Sequence, residues 1–266
     1  MNIGRIDASA TLGRSWLHRV SPVSKLLALT LVLAATIVTW NVLLLGSLAL
    51  TLVAAAVSAR LAGGLVATLI GYPAAFATIF AVSAATTPLG GVTIVLKAVT
   101  AALGAILLVL TTPYPFIFAP VQRVLPPLVG DALLMTYRSL FLLLEKFGNL
   151  LTAARLRAGL RGRHPVRSAR AATHALGGLL IYSFDLAQRS YDIMRIRGYE
   201  GRLRVTVPRS ASPRADGALI ATAAGLLALS VTWRIEWQAL NPYSWVLPFV
   251  PAAALVVALG SRWRKA

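Results

Sequence analysis

The residues best suited to specific chemistry are arginines in two similar phrases, "RLRAGLRGR" from Arg155 to Arg163 and "RIRGYEGR" from Arg195 to Arg202. A guanidinium carries a fixed fork of donors that matches a carboxylate or caps helix-terminal carbonyls, so such a phrase suits recognition. Catalysis in a membrane protein would call for paired acids or histidine clusters, and a transition-metal site for imidazole, thiolate or carboxylate ligands. His18, His164 and His174 are scattered, cysteine is absent, and the long apolar runs hold no Asp, Glu or His. Asp192 and Glu200 read as surface or docking charges. No catalytic residue and no metal ligand set is expected in this chain, and disulfides are excluded. A phosphate-binding loop of the form GxxxxGK[ST] is also missing, so any ATP chemistry belongs to another polypeptide.

The elements that must position these arginines are set by composition. Of 266 residues, 58% are hydrophobic and 13% charged, against roughly 25% charged in ordinary soluble domains. The chain reads as an integral membrane protein. Its net charge of +18 would suit nucleic acid, but no interleaved aromatics or nucleic-acid fold signature accompany it. Sixteen of the 26 lysines and arginines, with six of the eight acids, fall between residues 123 and 216, which is the polar part of the molecule.

From Leu26 to Val57 the chain is almost wholly apolar. As one helix it would run about 48 Å against a hydrocarbon core of about 30 Å, so a hairpin of two short helices turning at Trp40-Asn41 is expected. Further spans are expected near residues 65–85 and 92–112, separated by "TTPLGG", and Lys97 in the second of these can snorkel to an interface. The first apolar run is too long for a signal-peptide core, so no cleavable leader is expected. Basic flanks place the N-terminus and Arg60 inside, and four spans return the chain to the cytoplasm at Thr112. Two later runs, Ala218 to Val231 and Tyr243 to Gly260, add one or two spans. The expected fold is all-α and polytopic, with five or six transmembrane helices. Residues 1–25 form a cytoplasmic segment, 26–112 four spans, 113–216 a cytoplasmic helical module and 217–266 the C-terminal span or spans.

Within the module, Leu133, Tyr137, Leu140, Leu144, Phe147, Leu151 and Ala154 recur at steps of four and three and form an apolar stripe on a helix. That helix is apolar enough to lie at or against the membrane. A second helix, about Ala171 to Arg197, repeats the pattern with Leu176, Leu180, Phe184, Ala187, Tyr191 and Met194. Both end at an arginine phrase. Gly just past a helix supplies a left-handed cap, and Arg in the last turn suits the negative end of the dipole. Capping accounts for the glycines but not for the duplication, which instead suits a partner with two equivalent acidic grooves.

The stretches "SPVSK" (Ser21 to Lys25), "TTPYPF" (Thr111 to Phe116), "TYRSLFLLLEK" (Thr136 to Lys146) and "MRIRGYEG" (Met194 to Gly201) resemble the transmembrane T component of energy-coupling factor (ECF) transporters, of the CbiQ type of cobalt and nickel systems. The resemblance implies two Ala-Arg-Gly-like triplets that dock two ABC ATPase subunits. Carried onto this chain they are Leu156-Arg157-Ala158 and Ile196-Arg197-Gly198, with Tyr137, Arg138, Glu145, Arg155, Gly159, Arg195 and Tyr199 in support. Ala becomes Leu or Ile, and the first Gly becomes Ala with Gly159 following. It further implies ATP and Mg on the partner ATPases, and cobalt on a separate CbiM-like substrate-binding S component, with a small accessory membrane subunit as a further partner. Nickel or vitamin cargo and a solo permease are the alternatives. The expected location is a bacterial or archaeal cell membrane, multi-pass, with a cytoplasmic N-terminus, and no nucleic-acid partner.

Overall fold

The computed structural model describes residues 9–13, 15–122, 125–156, 165–201, 203 and 212–263. All its regular structure is helical: α1 (Pro22–Val38), α2 (Val42–Ser58), α3 (Gly63–Ala84), α4 (Pro88–Thr111), α5 (Tyr114–Val121), α6 (Pro127–Leu156), α7 (Pro165–Ile196), α8 (Pro213–Ile235) and α9 (Phe249–Trp263), with short turns at Trp16–Arg19, Trp237–Leu240 and Asn241–Val246. The chain divides into two units, residues 1–117 with 207–266, and residues 118–206.

The first unit is a bundle. The expected hairpin is present: Asn41 ends the break after α1 and caps α2, its Oδ1 accepting from the amides of Leu43 (2.8 Å) and Leu44 (3.4 Å). Such a cap satisfies donors that a helix start leaves unpaired. The Asn41 amide also donates to Asn241 Oδ1 at 3.1 Å. At about 26 Å each, the 17-residue α1 and α2 are short for a 30 Å core. Five other segments are long and apolar enough to cross: α3, α4, α6, α8 and the run Trp237–Gly260. Thus the run from Ala218 belongs to a 23-residue helix, and α6, assigned from sequence to the polar module, also has the length and composition of a span.

Helix α1 packs on α8 and α4, while α2 packs on α4 and α9. Small residues make the crossings close: Ala28 and Val32 meet Ala223, and Ala35 meets Leu45 and Leu48. A Cβ at Gly104 would stand 2.9 Å from Leu29 Cδ1, so the glycine leaves room for the end of that side chain where α4 passes α1. Buried Thr36, Thr100 and Thr111 return their hydroxyls to carbonyls four residues earlier, so none is left unsatisfied in an apolar setting. Lys25, 6% exposed, donates to the carbonyl of Thr111 (2.9 Å) and Thr112 Oγ1 (3.0 Å), placing its charge at the negative end of α4. The Ser21 amide just before it donates to Asp216 Oδ1 at 2.9 Å, so the "SPVSK" stretch ties the starts of α1 and α8 together.

The second unit is built on α6 and α7, which pack against each other. The Lys146 ammonium lies 4.8 Å from the Tyr182 ring centre, Leu150 borders Gly178, and Tyr199 reaches back to Asp131. These pairings fix an antiparallel register. The expected stripes are only partly covered: Leu133, Tyr137, Phe147, Leu151 and Ala154 are half-buried, but Leu140 and Leu144 are exposed. On α7 the stripe points away from α6, with Leu176, Leu180, Ala187 and Tyr191 exposed and Phe184 76% exposed. The packed side of α7 is the one carrying Ala175, Gly178, Leu179, Tyr182, Leu186 and Met194. A single antiparallel partner covers one strip, and on α7 that strip is not the one whose periodicity stands out in the sequence.

Candidate functional site

The second arginine phrase closes α7 as a complete Schellman cap. The Tyr199 amide donates to the Met194 carbonyl (3.1 Å), and the Gly198 amide to that of Arg195 (3.2 Å), with Gly198 at φ +70°. This left-handed position is why glycine stands there. Arg195, Ile196 and Arg197 are exposed at the tip, Ile196 at 85%.

The cap turns Tyr199 toward the start of α6. Its hydroxyl donates to Asp131 Oδ2 at 2.6 Å, the Leu203 amide donates to both carboxylate oxygens at 3.0 Å, and Gln122 Nε2 to Oδ1 at 3.3 Å. Asp131 is buried, and these donors with the positive end of α6 replace its lost hydration. The bond to Asp131, with burial and the carboxylate charge adding to it, pushes the Tyr199 phenol above the usual tyrosine range. A raised folded-state pKa means the stabilisation is complete below the ordinary tyrosine pKa and is lost as pH rises through the folded value. The latch therefore stays closed through the physiological range.

Beside this latch lies a cleft of about 480 Å³ bordered by Arg138, Arg189, Arg197 and Glu200 among apolar neighbours such as Met135 and Ile193. Arg189 is paired with Asp185 at 2.7 Å, while no carboxylate among the described residues pairs with Arg138 or Arg197. The cleft can receive an acidic group. Arg138, Arg197, Gly198 and Tyr199 are thus brought together. Tyr137 instead packs its ring against Phe118 (centroids 5.8 Å apart) and Phe141 (4.9 Å), and Glu145 is exposed further along α6.

At the other end, Arg155 and Leu156 are exposed on the last turn of α6, Leu156 at 84%. Arg157, Ala158 and Gly159 lie outside the described residues. With Lys146 beside Tyr182 and Leu150 beside Gly178, Leu156 is level with about Ala172, roughly 36 Å along the helix axis from Ile196. The two helices therefore finish at opposite ends of the pair, each at an arginine phrase.

Sequence reasoning did not single out Asp131 or Lys25 as structural anchors. The available signal was a lone carboxylate inside an otherwise apolar helix start, and a lone lysine opening an apolar run. Among the described residues no cluster of three or more His, Asp or Glu that would hold a metal ion occurs.

No curated protein matches the chain. Residues 13–207 match the CbiQ family, described as Cobalt transport protein, a stretch that takes in α1 to α7 and both arginine phrases. With multiple membrane-spanning helices and that match over most of its length, this chain belongs to the CbiQ family of membrane transport components.

Proposed function

We propose that this chain is the transmembrane coupling subunit of an ECF-type ABC importer, transmitting the ATP-driven motion of two ATPase subunits to a membrane subunit that binds the cargo, most simply cobalt. The observation that carries the reading is the antiparallel α6–α7 pair, whose arginine phrases stand at opposite ends roughly 36 Å apart. One compact motif would be enough to grip one partner; two separated copies suit two.

In this reading Arg157 and Arg197 each enter a groove of one ATPase, where a guanidinium pairs bidentately with a carboxylate or caps carbonyls. The Asp131–Tyr199 latch holds the Arg197 end rigid, so that displacement of the tip moves the helix instead of bending the cap. Closure of the ATPase pair then displaces both ends at once, and the helices reorient the cargo-binding subunit to alternate its access. ATP and Mg reside on the ATPases, the metal ion on the cargo-binding subunit, and the N-terminus of this chain faces the cytoplasm with the ATPases.

The test is co-expression with candidate ATPases and cargo-binding subunits, with purification through a tag on this chain. Arg157→Glu or Arg197→Glu is expected to uncouple ATP hydrolysis from uptake, and the double variant to lose both ATPase copies from the complex. Full cobalt uptake by the double variant would sink the proposal.

A further inference from the structure

Lys97, Arg234 and Trp40 form a cluster at the end of the bundle away from Lys25. The Lys97 ammonium donates to the Ile37 carbonyl at 3.1 Å, one of the acceptors left open in the last turn of α1. It lies 4.4 Å from the centre of the Trp40 ring, and the Arg234 guanidinium carbon lies 5.7 Å from the same ring. Both are cation–π distances, but an aromatic face balances a cation only weakly and here faces two. Among the described residues no carboxylate pairs with either cation; Glu236, two positions beyond Arg234, does not.

A third donor is nearby. The Trp233 indole N–H is the buried side-chain polar group that finds no partner among the described residues. Trp233 is 7% exposed and borders, with Trp40 and Arg234, a cavity of about 10 Å³. That is room for about one oxygen-sized atom. The Arg234 guanidinium and the Trp233 indole N–H therefore have no acceptor among the described residues, and the Lys97 ammonium beside the same Trp40 ring has one backbone carbonyl for its three donors. A buried donor left unpaired is costly, and it lies beside two cations that no carboxylate among the described residues neutralises.

The surroundings identify the source of the acceptor. Trp40 is 61% exposed at the end of α1, and Trp237, Tyr243 and Trp245 are also exposed in the segment after α8. Exposed Trp and Tyr at the ends of apolar helices mark the headgroup level of a bilayer. We propose that Lys97 and Arg234, with Trp40 and Trp233 beside them, form a binding site for the phosphate of a membrane phospholipid headgroup. A phosphate offers several oxygens to several donors, which a single carboxylate does less well. A headgroup carrying no cation of its own is favoured, because the site already supplies two positive charges.

The full-length protein, purified in detergent, would be titrated separately with phosphatidylglycerol, phosphatidylcholine and inorganic phosphate, with bound ligand counted by native mass spectrometry. Phosphatidylglycerol is expected to bind at least tenfold more tightly than phosphatidylcholine. The double variant Lys97→Gln/Arg234→Gln is expected to lose that preference, and Lys97→Arg/Arg234→Lys to keep most of it. If the double variant does not fold, Arg234→Gln alone, on an exposed side chain, makes the same comparison. Equal binding of the two lipids, or a preference untouched by removing the cations, would overturn the site and leave the cluster to an acidic loop of a partner protein. Saturation by millimolar inorganic phosphate with displacement of the lipid would overturn the lipid assignment in favour of a soluble anion.

Discussion

The bundle and the α6–α7 pair use different means to hold their helices. In the bundle, Leu44, Leu45, Leu48 and Leu110 are almost completely buried, and helices cross where Ala or Gly allows contact. In the pair, the buried positions among the described residues are Gly130, Asp131 and Ala175: two small residues and one carboxylate. No large apolar side chain described in the pair is fully enclosed. Packing defines the first unit, whereas polar bonds at one end define the second. Close packing through small residues is what apolar helices gain from in the bundle, whereas the pair leaves large apolar side chains such as Leu140, Leu180 and Phe184 exposed.

The largest effect is expected from removing the latch. Asp131→Leu removes the buried acceptor shared by the Tyr199 hydroxyl, the Leu203 amide and Gln122, so the link between the end of α7 and the start of α6 is lost. Amide exchange in residues 118–206 should accelerate on the order of 100-fold while the bundle amides stay protected, and Asp131→Asn should retain most of the protection. Equal loss in both units would show that the latch does not act within the pair alone.

Where local chemistry decides, the fold is legible in the sequence. The turn at Trp40-Asn41 follows from a length no single span accommodates and from an Asn able to cap, and the end of α7 follows from Gly198. What the sequence hides is which side of an amphipathic helix meets its neighbour. Leu176, Leu180 and Phe184 have the periodicity of a buried stripe, yet the side facing α6 carries Ala175, Gly178 and Tyr182, because a single antiparallel neighbour covers one strip of a helix and periodicity alone does not say which. The candidate site was legible in the same uneven way. The arginine phrases stand out as repeats, but Asp131 becomes meaningful only when Tyr199, far along the chain, is brought to it.

A contrasting substitution in the bundle sharpens the comparison. Gly104→Val places new atoms against the end of the Leu29 side chain, which can turn into the adjoining cavity, and should cost about 1 kcal/mol, read as a lower thermal midpoint for the bundle with exchange in the α6–α7 pair unchanged. Destabilisation of the pair by the same change would weaken the distinction between the units.

The smallest expected effects compare one cap in two settings. Arg60 ends α2 in the same geometry as Gly198, with φ +54°, the Arg60 amide donating to Val57 and that of Leu61 to Ala56. Because an L-residue is strained there, Gly198→Ala should destabilise the end of α7 by about 1 kcal/mol, and Arg60→Gly should stabilise the end of α2 by a similar amount. Local amide exchange at each terminus measures both, and a stabilising Gly198→Ala would contradict the cap assignment.

Two antiparallel helices of 30 and 32 residues have a consequence for stoichiometry. Such a pair carries an approximate dyad perpendicular to its long axis, which exchanges the finishing turn of α6 with that of α7. A single polypeptide thereby imitates a symmetric dimer at the two places where its arginines emerge. Under the proposed coupling role, that dyad suits a partner presented as two like subunits, one at each end.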